Sequence, residues 1–424
     1  MRGMPENSAD TCITDPPYEL GFMGKKWDSS GISFQPDTWR EVYRVLKPGA
    51  MLLAFGGTRT VHRIACAIED AGFEIRDMIA WVYSTGFPKS HNISKALDKR
   101  AGAEREVVGH KKNLGHVERG DSTIDSQKVV HRDSIFTANN GTEYITAPAT
   151  PEARLWDGWG TALKPSLEPI VVAMKPIEGT YAENALKWGC AGLNIDGARV
   201  EVSEKDRRAN LAKANKKQTS NNIISGFGNN TFEAGDWGMA KGRFPANLIH
   251  DGSDEVVGLF PNSKGSKLGT KYQTPRYTGN TYNGGEVGGG QKEFGFGDSG
   301  SAARFFYVAK ASRSERNAGL EGMPLGEPPK SARSKPAEGR QSALGLPRQN
   351  THPTVKPIAL MRYLCQLTKT PTGGVVLDPF AGSGTTLVAC ARLGRKAIGI
   401  DNDEGYFDIA VKRVQREQQQ MKLF

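Results

Sequence analysis

Val375-Val376-Leu377-Asp378-Pro379-Phe380-Ala381-Gly382-Ser383-Gly384-Thr385-Thr386 decides how this chain folds. A short apolar run ends on an acid, passes into a turn of small residues and leads into a helical run from Thr385 to Leu393. The pattern predicts a strand, a Gly-rich turn and a helix. Small residues let backbone approach a ligand closely, and the first turn of a helix favours a carboxylate or phosphate. Two phosphate loops do not fit: no lysine follows Gly384 as a P-loop needs, and Leu387 stands where the dinucleotide fingerprint has its third glycine. Lys396–Ile400 reads as the next strand. It ends at Asp401, where an acid holds ribose hydroxyls in nucleotide-binding βαβ units. A helix from about Tyr406 to Gln418 follows.

The same alternation stands at the start of the chain. Asp10–Thr14 reads as a strand broken by Asp15-Pro16-Pro17. Trp39, Val42, Tyr43 and Leu46 recur at helical spacing, Lys47-Pro48-Gly49 is expected to stop that helix, and Met51–Phe55 reads as a buried strand. A helix over Val61–Asp70, closed by Gly72, and a strand over Ile75–Tyr83 follow. Strands alternating with helices predict an α/β fold with a parallel sheet. Neither end has enough strands for a large sheet, so the two are expected to assemble into one. The middle, roughly 200 to 350, carries Gly- and Asn-rich tracts such as NNIISGFGNN, and a basic, Pro-rich stretch from Lys310 to Arg348. Arg243–Ile249 and Arg304–Val308 read as ordered islands within it.

Composition sets the class. The 424 residues, 38% hydrophobic, leave room for a catalytic domain and an appended module. A formal charge of +10 suits a polyanionic partner. The five cysteines form no C-x-x-C pair and no cluster at metal-ligand spacing, so no metal is expected. The start, MRGMPENSAD, has no apolar run, and no later stretch reaches the ~20 apolar residues of a membrane span. The expectation is a soluble, cytoplasmic protein with no membrane partner.

Asp15-Pro16-Pro17-Tyr18, just past a strand, carries chemistry. An exocyclic amine is a poor nucleophile because its lone pair is delocalised into the ring. Asp15 can accept hydrogen bonds from the N–H groups as the nitrogen becomes tetrahedral. The prolines hold their neighbours extended and contribute no competing N–H. Tyr18 offers a flat face for an extruded base, a contact worth about 1–3 kcal/mol.

D-P-P-Y at the start, N-T-H-P-T-V-K-P at Asn350–Pro357 and D-P-F-A-G-S-G-T-T near the end resemble, in this order, the β-group amino-methyltransferases of DNA. Thr146–Glu152 and Arg243–Val256 also resemble the phage-type, site-specific branch. The resemblance implies a Rossmann-like methyltransferase sheet, circularly permuted: a catalytic half at 1–160, a target-recognition region at 161–349 and a cofactor half at 350–424. It implies that Asp15 and the carbonyl of Pro16, beside Pro17, bind the target amine and that Tyr18 stacks on the base. S-adenosylmethionine is the implied cofactor. Asp378, Phe380, Gly382, Ser383, Gly384 and Thr385 would form its loop, Asp401 would hold its ribose, and Thr354 and Lys356 would meet its methionine end. The partner is double-stranded DNA, with a homodimer left open and any restriction partner unknown. Asp at position 15, where N4-cytosine enzymes often have Ser, favours adenine N6. Cytosine N4, or a DNA-binding chain without turnover, are the alternatives. The family usually has a further strand and helix ahead of the tetrapeptide, so a truncated start or a substitute segment is expected.

Overall fold

The computed structural model describes residues 1–21, 26–86, 90–111, 143–202, 242–263, 300–309, 313–323, 349–352 and 354–421. The Gly/Asn-rich tract NNIISGFGNN and most of 310–348 lie outside these residues. Twelve strands are described: β1 Ala9–Thr14, β2 Leu46–Phe55, β3 Glu74–Val82, β4 Val107–Lys111, β5 Glu143–Thr146, β6 Leu167–Met174, β7 Leu248–His250, β8 Asn262–Ser263, β9 Gly300–Ser301, β10 Tyr307–Val308, β11 Val375–Asp378 and β12 Lys396–Gly399. Eight form one sheet, in the order β10-β7-β3-β6-β2-β1-β11-β12. Seven of these run parallel and β6 alone runs antiparallel, between β2 and β3.

The chain divides into two compact units, residues 1–84, 167–312 and 354–424 in one, 85–166 and 313–353 in the other. The first holds the eight-stranded sheet. In the second, β4 and β5 pair antiparallel. Its helices Ile93–Ala101 and Pro151–Leu155 are joined at Asp98, which accepts from the Thr150 backbone and hydroxyl at 2.9 and 2.8 Å.

The two ends of the chain build one sheet, as their alternation predicts. β1 lies beside β11 in register Thr11 to Val376 and Cys12 to Leu377. Alternating residues of the central strands face opposite layers. Ile13, Leu53 and Phe55 pack with Leu360 and Leu364 of the helix Ile358–Leu367, and with Ala389 of the helix Thr385–Arg392. Cys12, Leu52 and Ala54 pack with Trp39 and Val42 of the helix Pro36–Val45, and with Ile64 and Ile68 of the helix Val61–Asp70. Each fully buried Leu, Ile or Phe contributes about 1.5–3 kcal/mol. Burial on both faces is what a parallel sheet requires.

Two features depart from the sequence reading. Lys47-Pro48-Gly49 does not separate helix from strand: the helix ends at Val45 and β2 already begins at Leu46. The tripeptide is instead an excursion inside the strand. Ala9 pairs with Leu46, yet Thr11 pairs with Met51. Gly49 makes this possible with φ +75°, where an added Cβ would meet the Asn184 side chain at 2.4 Å and the Cys190 carbonyl oxygen at 2.7 Å. Asn184 donates to the Pro48 carbonyl at 3.0 Å and fixes the bulge. The second departure is β6 itself, a central strand drawn from a stretch given no element from the sequence. With β7 and β10 it brings strands into the sheet from between the motifs.

Candidate active site

Parallel strands that share a sheet end at one edge. β1 stops at Thr14 and β11 at Asp378, so the loops carrying Asp15–Tyr18 and Phe380–Gly384 leave neighbouring strands side by side. This is the carboxyl edge at which open α/β sheets bind ligands. Thr14 Oγ1 donates to Asp378 Oδ1 at 2.7 Å and ties the two loop origins together. Because β6 runs the other way, its beginning lies at this same edge, with Glu168 opposite Trp81.

Glu168, Asp15, Tyr18 and Lys356 form one cluster. Lys356 Nζ lies 2.6 Å from Asp15 Oδ2, 3.1 Å from the Tyr18 hydroxyl and 3.3 Å from Glu168 Oε2. The Tyr18 hydroxyl donates to Glu168 Oε2 at 3.0 Å, and Thr60 holds the Tyr18 carbonyl at 2.8 Å. Tyr83 stacks on Trp81 with ring centroids 4.7 Å apart, and burial, then the nearby Glu168 charge, push its hydroxyl above the ordinary range. Lys356 is 9% exposed and its ammonium sits 4.9 Å above the Phe55 ring. Burial pulls its pKa down, but Asp15 and Glu168 outweigh that and hold it above the usual lysine value, so it stays charged. Burial, then the Asp15 and Glu168 charges, push the Tyr18 hydroxyl well above its ordinary range. Asp15 Oδ1 is buried and has no hydrogen-bond partner among the described residues. Buried polar atoms are ordinarily satisfied, so this oxygen is an acceptor open to an incoming donor.

The second loop closes around its own backbone. The Gly382 N–H donates to Asp401 Oδ2 at 2.8 Å, and Asp401 Oδ1 accepts from the Asp403 N–H at 2.9 Å. Asp401 therefore spends part of its acceptor capacity on the loop; a carboxylate offers about four lone-pair sites. Gly382 and Gly384 sit at φ +51° and +75°. A Cβ on Gly384 would lie 2.7 Å from Ala410 Cβ in the helix Glu404–Met421. From that helix Arg413, 2% exposed, donates to the Ser383 carbonyl at 2.6 Å and reaches Thr385 Oγ1 at 3.2 Å. The Phe380 N–H donates to Asp378 Oδ1 at 3.2 Å. Burial, opposed by hydrogen bonds from Thr386, Thr14 and Phe380, raises the Asp378 carboxyl to about 6. A cavity of about 190 Å³ adjoins the loop, lined by Gly382, Leu387, Gly399, Asp401, Phe407 and Val411.

The sequence-predicted residues thus fall into two neighbouring groups. Asp15, Pro16, Pro17, Tyr18 and Lys356 make one; Asp378, Phe380, Gly382, Ser383, Gly384, Thr385 and Asp401 make the other. Thr354 is exposed, two residues from Lys356. Glu168, Tyr83, Thr14 and Arg413 were not found from sequence, although an acid opening the apolar run Pro169–Met174 was a readable signal for the first. Chemically, one group offers an acceptor beside a flat ring. The other offers a glycine turn at a helix start with an acid opposite, a shape and donor set that fit a small nucleoside-bearing ligand.

The sequence profile of the DNA methylase family, N6 and N4, matches residues 9–412. Type II methyltransferase M2.DpnII of Streptococcus pneumoniae is 50% identical over 66 residues, 16% of this chain and 24% of its own. Type II methyltransferase M.ScaI of Streptomyces caespitosus is 33% identical over 112 residues, 26% of this chain and 36% of its own. The chain thus spans only about a quarter to a third of the length of these curated relatives. The solved structure of TTHA0409 from Thermus thermophilus, complexed with S-adenosyl-L-methionine, aligns over 98% of this chain and 89% of its own, at 16% identity and TM-score 0.36. That of M1.HpyAVI aligns over 96% and 88%, at 14% identity and TM-score 0.35. A profile match that begins at the first residue of β1, takes in both loops of the sheet edge and ends beyond Ala410 leaves one assignment: the chain belongs to the N6/N4 DNA methylase family.

Proposed function

We propose that the chain is a DNA methyltransferase that moves a methyl group from S-adenosylmethionine to an exocyclic amine in duplex DNA, adenine N6 in the first place. The observation that carries this reading is Asp15 Oδ1, buried, without a partner among the described residues and one strand away from the glycine turn. S-adenosylmethionine, when bound, supplies a methyl carbon made electrophilic by its sulfonium. The chain's residues do the rest. Asp15 and the Pro16 carbonyl take hydrogen bonds from the amine and turn its lone pair toward the methyl carbon. Asp15 then receives the proton that the amine sheds. Pro17 keeps the backbone extended, and Tyr18 stacks on the base. Because the amine starts inside the duplex, the base must be flipped, at a few kcal/mol.

Phe380, Gly382, Ser383 and Gly384 line the donor's pocket, Thr385 and the helix start face its carboxylate, and Asp378 supports the turn. Asp401 holds the ribose. Thr354 and Lys356 serve the methionine end, with Lys356 linking it to Asp15. The preference for adenine rests on an aspartate rather than a serine at position 15. The net charge of +10 suits the duplex. Nucleoside mass spectrometry of unmethylated plasmid, incubated with the purified protein and S-adenosylmethionine, tests this. N6-methyladenine is the expected product. N4-methylcytosine would keep the mechanism and change the base. No methylated base from a protein that binds DNA would leave a binding protein without turnover.

A further inference from the structure

Glu168 has no part in the roles assigned above, yet two donors converge on it, the Lys356 ammonium at 3.3 Å and the Tyr18 hydroxyl at 3.0 Å. The Tyr18 hydroxyl is neutral, so among the described residues the charges in contact are one ammonium against the two carboxylates of Asp15 and Glu168. The cluster therefore keeps one negative charge more than it cancels. Asp378, the next carboxylate toward the glycine turn, adds no cation. In an in-line transfer the reacting atoms stand about 3–3.5 Å apart. An amine held on Asp15 therefore brings the donor's sulfur close to this surplus. Before transfer that sulfur is a sulfonium with a full positive charge. Afterwards it keeps the electron pair of the broken C–S bond and is neutral.

We propose, resting on the methyltransferase reading, that Glu168 lets the site tell the cationic methyl donor from its neutral by-product. It does so by leaving the Asp15–Lys356 pair with an uncompensated negative charge. Without Glu168, Lys356 would offset Asp15 and the site's preference for the charged ligand over the neutral one would weaken. With Glu168 in place the charged ligand is held and the spent one is released. Tyr18 positions the Glu168 carboxylate without altering its charge.

The test is calorimetric and needs no turnover. Affinities for S-adenosylmethionine and S-adenosylhomocysteine are measured for the wild type, Glu168→Asp, Glu168→Gln and Glu168→Ala, each first checked for a cooperative melt. Gln keeps the shape and a hydrogen-bond acceptor but not the charge. The expected result is a donor-to-product affinity ratio that falls about tenfold in the Gln and Ala variants, on the scale of one partly screened charge. Glu168→Asp keeps the wild-type ratio. A purely structural role would lower both affinities together, and an unchanged ratio overturns the inference while the methyltransferase reading stands. A wild-type chain that binds neither ligand removes both.

Discussion

Thr14 and Asp378 stand 364 residues apart in the chain and share a 2.7 Å hydrogen bond between the ends of adjacent parallel strands. The bond joins the loop that offers an acceptor to the loop that offers a ligand turn. Asp378 also carries a measurable pH dependence, which this bond opposes. Its carboxyl is raised to about 6 in the folded chain, burial being the main cause, against 3.8 for the free group. The folded state thus binds the proton more tightly than the unfolded state between these values. The stability this confers is complete below about pH 4 and is lost as pH rises through about 6. Denaturant unfolding of Asp378→Asn beside the wild type from pH 4 to 7 should show the wild type losing ground by on the order of 2–3 kcal/mol, then running parallel. Curves parallel throughout would mean that Asp378 ionises at no cost.

Asp15→Ala removes the open acceptor. Transfer should fall by about 10²–10⁴-fold, the usual contribution of a positioned acid–base group. Binding to duplex DNA in a gel-shift assay should change by no more than a few-fold. Full activity in this variant would remove Asp15 from the chemistry.

Tyr18 separates ring from hydroxyl. Tyr18→Ala should weaken capture of an extruded base by about 1–3 kcal/mol, read with 2-aminopurine at the target position. Tyr18→Phe keeps the ring, loses the hydrogen bond to Glu168 and should keep most of the fluorescence change. Equal losses in both variants would assign the effect to the hydroxyl.

Gly384 and Gly394 both adopt left-handed backbone, at φ +75° and +63°, but only Gly384 has a neighbour inside contact distance, Ala410. Gly394→Ala should cost about 1 kcal/mol from backbone strain. Gly384→Ala adds a clash in a packed layer, bringing the cost to about 2–4 kcal/mol, and should also weaken S-adenosylmethionine binding. Thermal melts with and without ligand decide it. Matching losses in the two variants would show that the helix bearing Ala410 gives way.

Sequence choice should reside between the motifs, in 161–349. Exchanging this region for a relative's, leaving β6, β7 and β10 untouched, should move methylation to the relative's sites. Methylation mapped by single-molecule sequencing at unchanged sites would place recognition elsewhere.

The two ends of the sheet were legible because strands buried on both faces read as apolar runs and their helices repeat at 3.6 residues. Val61–Asp70 and Ile358–Leu367 stand as read, β2 begins five residues before the expected Met51, and the other matched boundaries lie within three residues of their expected places. The excursion at Gly49 was not legible, since Lys-Pro-Gly after a helix has the same local chemistry whether it ends an element or bulges within one. The direction of β6 was hidden for a deeper reason. Whether Leu167–Met174 runs with or against its neighbours depends on pairing with Leu52 and Ile79, far away in sequence. That direction alone brings Glu168 to the site. Lys356 was expected at the methionine end of the cofactor, yet its contact with Asp15 spans 341 residues, which no local pattern records.

The pairing of Thr11 with Val376 also governs when this protein can come into being on the ribosome. At roughly 5–20 residues per second, β1 is synthesised some tens of seconds before the strand that flanks it. Until then one side of β1 offers unpaired N–H and C=O groups, the kind of template on which nascent chains aggregate. Chaperone demand should therefore concentrate in that interval. An interrupted translation product that stops short of Asp401 has the acceptor loop without the acid opposite the glycine turn, and on the function proposed above it should transfer no methyl group.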